Sequence, residues 1–201
     1  PGRNYGSSNA CKGFGDDPVS QSFAFDTIGG LFVSSIELFF SSKSTTLPVT
    51  LQLRTMFNGY PTEEILPFGE VDVTAANIQT STDASVATTF TFPSPVYLEP
   101  NQQYCFVALC STDEYTIYSA RMGQRTLDDN RLISKQPYLG SMFKSQNAST
   151  WTADQNEDVK FILNACEFTT TSFGTVTLAN DELPTRLLPK TNPISTTASS
   201  G

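Results

Sequence analysis

The carboxylates are the side chains that offer acid–base chemistry in this chain, because the sequence contains no histidine. Histidine is the commonest general base, and the serine–histidine and cysteine–histidine nucleophile systems require it. Glu63 and Glu64, in "TEEIL", form an adjacent acidic pair. Neighbours in a strand point to opposite faces, whereas glycoside hydrolysis needs two carboxyl groups that converge about 5–10 Å apart. We therefore expect no catalytic residues and no enzymatic activity.

The cysteines are the next group with reactive chemistry, and their spacing argues against a metal site. No CxxC pair indicates zinc, and we expect neither a metal nor a cofactor. Cys105 and Cys110 stand five residues apart in "YCFVALC", so they should point to opposite faces of one strand. We predict free thiols that pack as small hydrophobes, with a bridge from Cys166 to either of those two left open. The fourth cysteine is Cys11.

Aromatic side chains supply a different chemistry, the binding of sugars. Trp151, Tyr138 and Tyr118 form a candidate glycan platform, because exposed rings stack against sugar faces in β-sandwich carbohydrate modules. The competing interpretation is that the tryptophan covers a loop and the tyrosines pack at sheet edges. An exposed cluster of these rings would favour a carbohydrate-binding module.

Charge and length limit the classes of partner. The formal net charge of −8 and the pI of about 4.4 argue against a nucleic-acid surface, which needs clustered Lys and Arg. No run approaches the roughly 18 apolar residues of a membrane helix, so we expect no membrane partner. The 201 residues allow one domain of about 150 residues plus tails. The chain does not begin with Met, and we expect it to be a piece of a longer protein.

The elements that must position these residues are predicted to be strands. Stretches rich in Val, Ile, Thr, Phe and Tyr recur between clusters of Pro, Gly, Asn, Asp and Ser, which is typical of all-β proteins. We predict a jelly-roll-like two-sheet β-sandwich with extended N- and C-terminal arms. The predicted strands are Gln21–Phe25, Leu31–Ser41, Val49–Met56, Glu70–Val73, Thr88–Phe92, Val96–Leu98, Gln103–Leu109, Tyr115–Ala120, Leu139–Lys144 and Val159–Cys166.

Glycine, proline and asparagine residues mark the predicted turns and strand ends. "NGYP" predicts a turn in which Gly59 takes a positive φ, and it opens an excursion too rich in Pro and Gly for a long strand. "LEPNQQY" predicts a second turn. Pro93 and Pro95 are expected to stop the ladder and make a corner. Val73–Ile78 is the single predicted helical turn.

Alternation assigns the faces of the predicted strand Val49–Met56. In "VTLQLRTM" the core face is Val49, Leu51 and Leu53, and the polar residues between them, including Gln52 and Arg54, are predicted to look outward.

The stretch "LFVSSIELFF" is less regular than "VTLQLRTM". Its better apolar face, assigned to the core, is Phe32, Ile36, Leu38 and Phe40. Leu31, Val33 and Phe39 are then left on the other face and form a hypothetical interface. Its cover would be the chain's own arm, with residues 173–178 as the candidate, or another subunit. On this interpretation Phe39→Ser leaves the isolated domain folded and weakens docking.

Several long segments of the sequence, taken together and in order, resemble a known family. They are "DDPVSQSFAFDTIGGLFVSSIELFFSSK", "LPVTLQLRTMFNGYPTEEILPFGEV", "TTFTFPSPVYLEPNQQYCFV", "EYTIYSARMG" and "QPYLGSMFKSQNASTWTADQNEDVKFIL". Over residues 16–168 the chain resembles a domain of large virion proteins of T4-like myoviruses, especially cyanophages. It departs from the family pattern at Val19 and Ser20, where Leu-Ala is usual, and in its cysteines.

The resemblance implies a jelly-roll-like module within a longer structural protein of the baseplate or tail-fibre type, with no catalytic residues. We therefore expect docking to other virion tail or baseplate proteins and to copies of the chain, with no nucleic acid and no membrane. The expected location is the virion tail or baseplate, assembled in the host cytoplasm. The alternative is a carbohydrate-binding module for host-surface glycan.

The expected domain organisation follows the same pattern. We predict an N-terminal arm over residues 1–19, the β-sandwich over residues 20–168, and a C-terminal arm over residues 169–201. The arms lack the apolar load of a domain and are expected to become ordered on partners. In the chain alone, their amide hydrogens should exchange rapidly.

Overall fold

Strands make up nearly all of the secondary structure in the computed structural model, which describes residues 6–9, 18–127, 131–135, 140–145, 147–169, 171 and 174. The chain divides into two compact units, Pro1–Glu167 and Phe168–Gly201, and the first contains every strand below. The predicted strand at residues 175–178 lies outside the described residues. Within the described ranges no helix is long and apolar enough to cross a membrane.

Thirteen strands and one short 3-10 helix are described, and the helix spans Ala75–Asn77 within the predicted helical turn. The strands are β1 Gly6–Asn9, β2 Val19–Ala24, β3 Leu31–Leu38, β4 Phe40–Ser42, β5 Val49–Phe57, β6 Tyr60–Val73, β7 Thr88–Leu98, β8 Gln103–Leu109, β9 Thr116–Arg121, β10 Met142–Ser145, β11 Trp151–Asp154, β12 Glu157–Val159 and β13 Phe161–Ala165.

Antiparallel pairing arranges these strands in three sheets around one core. The six-stranded sheet has the order β11-β10-β2-β8-β5-β6, and the three-stranded sheet has the order β13-β3-β7. In the four-stranded sheet β9 pairs with β1, β12 and β4. One hydrophobic cluster, which includes Ile36, Leu51, Phe106 and Ile117, contains residues of all three sheets. The predicted all-β sandwich is confirmed.

Two neighbouring strands of the three-stranded sheet, β3 and β13, are each joined through a single residue to a strand that pairs with β9. Phe39 separates β3 from β4, and Lys160 separates β12 from β13. The backbone of Tyr118 in β9 binds both positions: its N–H donates to the Phe39 carbonyl at 2.9 Å, and its carbonyl accepts from the Lys160 N–H at 2.8 Å. We call these three residues the β9 corner. It gives backbone partners to both interrupted strands.

The predicted interface of Leu31, Val33 and Phe39 is wrong, because these residues do not share an exposed face. Val33 is fully buried in the core, and Leu31 packs against the core. Phe39 is only 4% exposed, against Ala84 and Tyr118, with the Lys160 Nζ 4.0 Å from its ring centroid. The chain itself therefore covers Phe39.

A β-bulge explains the error in face assignment. Ser35 pairs with Asn164 of β13 and Val33 with the next residue, Ala165, so Ser34 is an extra residue on β3. The register between β3 and β7 is interrupted at the same place. A bulge shifts the alternation of side chains. Phe32, predicted in the core, lies instead on the outer face with its ring 5.0 Å from that of Tyr97. The predictions for Ile36, Leu38 and Phe40, which follow the bulge, are confirmed.

The two faces of β5 are as predicted, but the outer face is covered by other parts of the chain. Val49, Leu51 and Leu53 are buried in the core, as predicted. Gln52 and Arg54 lie on the opposite face, as predicted, yet they are only 8% and 6% exposed. The second face of the six-stranded sheet is also covered, and the Arg54 guanidinium there donates to Gln52 and to the carbonyl oxygens of Thr62 and Ala148.

The turns are predicted better than the strands that follow them. Asn58 and Gly59 have φ values of 49° and 79°, which is the pattern of a two-residue type I′ hairpin. The expectation that no long strand follows is wrong, because β6 is an edge strand and tolerates its prolines. Pro93 and Pro95 do not end β7 either, although the ladder to β3 is interrupted beside them.

The burial of Phe39 gives a direct test of the corrected faces. We expect Phe39→Ser to lower the free energy of unfolding by about 3–5 kcal/mol, because it leaves a cavity under Ala84 and Tyr118. The matched control is Phe57→Ser, at a side chain that is 71% exposed, and its cost should be below about 1 kcal/mol. Urea unfolding of both variants measures the difference.

Equal costs for the two serine variants would contradict the corrected assignment. If Phe39→Ser does not fold, Phe39→Leu provides a milder change at the same site. It should still cost more than Phe57→Leu in the same urea measurement, because only Phe39 is enclosed by its own chain.

Candidate functional site

The predicted glycan platform is not exposed. Trp151 is 8% exposed and packs with Cys105, Val107 and Phe143 on the outer face of the six-stranded sheet. Tyr118 is 2% exposed at the β9 corner, and its hydroxyl donates to the Ser81 carbonyl at 2.6 Å. Tyr138 lies outside the described residues. The structure therefore buries Trp151 and Tyr118 in separate clusters, and the predicted cluster of exposed rings is wrong for both.

The cysteines differ from one another in state. Cys105 and Cys166 are free thiols, as predicted, but the prediction is wrong for Cys110, which is disulfide-bonded to a partner outside the described residues. Cys105 lies in the outer cluster and Cys110 packs against the core, so the two point to opposite faces as expected. Burial raises the pKa of the Cys105 thiol to about 12, which keeps it protonated and unreactive at neutral pH.

A cleft of about 560 Å³ opens where the β5–β6 hairpin meets the end of β7 and the start of β8. Its walls carry Phe57 and Tyr97, and its polar lining includes Thr62, Glu64, Glu99 and Gln102. We call it the Tyr97 cleft. The sequence analysis identified both turns that border it, but it did not bring them together.

The floor and one wall of the Tyr97 cleft are held by hydrogen bonds and close packing. Tyr104, which also lines the cleft, is 6% exposed, and its hydroxyl accepts from the Glu99 N–H at 3.0 Å. The Tyr97 hydroxyl donates to the Gly29 carbonyl at 3.2 Å. Gly30 has a φ of +76°, and a Cβ there would lie 2.7 Å from the Tyr97 hydroxyl. A glycine is therefore required for the Tyr97 ring to sit as it does.

The polar groups of the cleft are hydroxyls, amides and carboxylates, and none of the described residues that line it is Lys or Arg. The Thr55 and Thr62 hydroxyl oxygens are 2.6 Å apart, and Thr55 Oγ1 lies 3.4 Å from a Glu64 carboxylate oxygen. Glu64 lines the cleft and Glu63 does not, in agreement with the prediction that these neighbours point apart. The lining therefore has negative charge and many hydrogen-bonding groups.

A buried carboxylate on β12 is the first of two that the sequence analysis missed. Glu157 is 4% exposed, accepts from the Ser119 hydroxyl, and accepts from Lys144 Nζ at 2.9 Å. Burial alone would raise the Glu157 pKa, but the hydrogen bonds from Ser119 and Lys144 outweigh it and hold the pKa below its ordinary value. Glu157 is therefore a paired, ionised structural group.

The next residue, Asp158, is buried in a different environment. It is 4% exposed, and its Oδ1 accepts from Gln21 Nε2 at 3.0 Å while its Oδ2 has no hydrogen-bond partner. Burial raises the Asp158 pKa to about 6, and the bond from Gln21 offsets only part of that effect. Gln21 also accepts from the Val159 N–H at 2.9 Å, so it ties β2 to β12. Within the described ranges no group of three or more His, Cys, Asp or Glu side chains is placed to hold a metal ion.

Comparison of the chain with known protein families, with curated proteins and with solved structures gives no match. The resemblance to myovirus virion proteins therefore stays a prediction from the sequence segments given above.

The raised pKa of Asp158 predicts a pH dependence of stability. The carboxyl has a pKa of about 6 when folded and an ordinary value of 3.8. Between these pH values the folded protein keeps a proton that the unfolded chain has released, so the free energy of unfolding falls as pH rises. We expect Asp158→Asn, which cannot ionise, to gain on the wild type by on the order of 1–3 kcal/mol between pH 4 and pH 7.

Urea unfolding at several pH values across that range measures this gain. Asp113→Asn, at an exposed carboxylate, controls for the loss of one negative charge. A difference between Asp158→Asn and wild type that does not change with pH would show that Asp158 ionises equally easily in both states.

Proposed function

We propose that the chain is a non-enzymatic structural module of a phage tail or baseplate protein, which acts in virion assembly by docking to other proteins. The observation that carries the proposal is the sequence resemblance over residues 16–168. The all-β sandwich is the fold that such a module requires, and its single core joins all three sheets into one rigid body. A rigid scaffold with accessible strand edges suits a protein whose work is assembly.

Strand β6 is the described edge that best suits docking. It is 14 residues long, and its one strand partner is β5 among the described residues. Its exposed side chains include Phe68 at 61%, Tyr60 at 51% and Ile65 at 37%. Long edges with exposed apolar residues are uncommon unless another chain covers them, because they offer unpaired backbone groups and apolar area together.

The charges on β6 limit which partner would pair with it. Glu63, Glu64, Glu70 and Asp72 all lie on this strand. Like charges across an interface are repelled, so the acidic edge disfavours pairing with another copy of itself through β6. The partner that fits is an extended segment of another tail or baseplate protein with Lys or Arg beside apolar residues. Copies of the chain would meet through other surfaces.

The proposal includes the location and the partners expected from the resemblance. The module belongs to the virion tail or baseplate, is assembled in the host cytoplasm, and needs no cofactor, nucleic acid or membrane. The negative net charge supports a protein partner over a nucleic acid.

Immunogold electron microscopy tests the location. Antibodies against the chain are applied to purified particles of the phage whose genome encodes it. Label at the tail or baseplate is the expected result. Detection of the chain in infected cells together with its absence from purified particles would reject a structural role.

The β6 edge is tested by a change that removes one exposed ring. Phe68 has a φ of 62°, a conformation that Asn adopts readily, so Phe68→Asn should leave the fold intact. We expect this variant to be incorporated into particles several-fold less than wild type, because it loses apolar contact area with the partner. Quantitative mass spectrometry of particles from a complemented deletion phage measures incorporation.

Ile28→Asn is the control for this experiment. Ile28 is 98% exposed in the turn before β3 and is not part of β6. Reduced incorporation of Ile28→Asn with normal incorporation of Phe68→Asn would move the docking surface away from the β6 edge.

A further inference from the structure

We propose that the Tyr97 cleft binds a neutral saccharide. This function is distinct from assembly through the exposed edge of β6, although Thr62, Glu64 and Leu66 of that strand also line the cleft. The residues involved differ from the platform predicted from the sequence. The volume of about 560 Å³ lies within the range of roughly 300–1,000 Å³ that small-ligand sites occupy.

Two exposed aromatic rings give the cleft its apolar surface. Phe57 at the end of β5 is 71% exposed, and Tyr97 at the end of β7 is 44% exposed. The two rings come from different sheets, because β5 belongs to the six-stranded sheet and β7 to the three-stranded sheet. The C–H face of a pyranose packs well against an aromatic ring. The Tyr97 hydroxyl, which donates to the Gly29 carbonyl, can still accept a hydrogen bond from a sugar hydroxyl.

The polar lining matches the hydroxyl groups of a sugar. Carboxylates of Glu64 and Glu99 accept hydrogen bonds, and the amides of Gln102 and Gln103 both donate and accept. A hydroxyl also donates and accepts, so a ligand rich in hydroxyls can satisfy both kinds of group. An apolar ligand would leave these groups without partners as it displaced their water.

The charge of the lining selects among saccharides. Among the described lining residues the two glutamates are accompanied by no Lys or Arg, so an anionic ligand would be repelled there. Sialylated and sulfated glycans are therefore disfavoured. A quaternary ammonium ion would also be attracted by rings and carboxylates, but it would not use the amide donors, which is why we commit to a neutral saccharide.

The cleft is prepared for binding before a ligand arrives. The Tyr97 hydroxyl is held by the Gly29 carbonyl, and the Glu99 N–H is held by the Tyr104 hydroxyl. Gly30 allows the Tyr97 ring to approach the backbone closely. Groups that are already ordered lose little conformational entropy on binding, so even a small ligand can bind measurably.

The experiment is a glycan array probed with the chain, followed by calorimetric titration of the strongest neutral oligosaccharide. The array presents neutral glycans ending in hexose or N-acetylhexosamine beside their sialylated and sulfated counterparts, and choline chloride is titrated separately. We expect saturable binding to neutral glycans, little to the acidic counterparts, and none to choline.

Three cleft variants connect this binding to its residues. Tyr97→Ala should weaken binding at least tenfold, and Glu99→Gln and Gln102→Ala should each weaken it several-fold. Phe68→Asn removes an exposed ring that does not line the cleft and should bind like wild type. Thermal unfolding confirms that each variant is folded, and the two polar variants decide the question if Tyr97→Ala is not.

The proposal is overturned if no neutral glycan binds, if the cleft variants bind as well as wild type, or if choline or acidic glycans bind instead. Failure here is distinguishable from failure of the assembly function. Incorporation into particles should be normal in Gln102→Ala and reduced in Phe68→Asn, whereas saccharide binding should show the reverse.

Discussion

The closure of the sandwich by β9 is the constraint on which much of the architecture depends. Two neighbouring strands end together, and their backbone groups need partners, because an unpaired buried N–H or C=O is costly. Tyr118 meets this need for both strands by binding Phe39 and Lys160 through its own backbone. The side chains of the same three residues then pack together beneath the loop that contains Ala84.

The opposite end of the three-stranded sheet borders the Tyr97 cleft, so the closed end is structural and the open end carries the candidate site. Strand β3 ends at the β9 corner, whereas its first residue, Leu31, pairs with Leu98 beside the Tyr97 cleft. At the closed end the polar groups are paired and the rings are buried. At the open end the core finishes at Tyr104, and the side chains beyond it line a space that no described residue fills.

The two proposed functions share strand β6 but use different sides of it, since Thr62, Glu64 and Leu66 line the cleft and Phe68 does not. Docking uses the edge of the six-stranded sheet, where a long strand offers backbone groups, apolar side chains and negative charge. Saccharide binding uses the gap between sheets, where rings and carboxylates converge. Both depend on the same rigid core, because neither an edge nor a cleft keeps its geometry unless the sheets behind it are packed.

The sequence by itself determined the features that depend on neighbours along the chain. Alternation identified the core face of β5, the Asn58–Gly59 pair identified its turn, and the predicted strand Gln103–Leu109 matches β8. Tertiary structure decided the rest, since a side chain is buried by whatever packs on it. The bulge at Ser34, the cover over Arg54 and the walls of the Tyr97 cleft all come from strands distant in sequence, and local periodicity carries no information about such contacts.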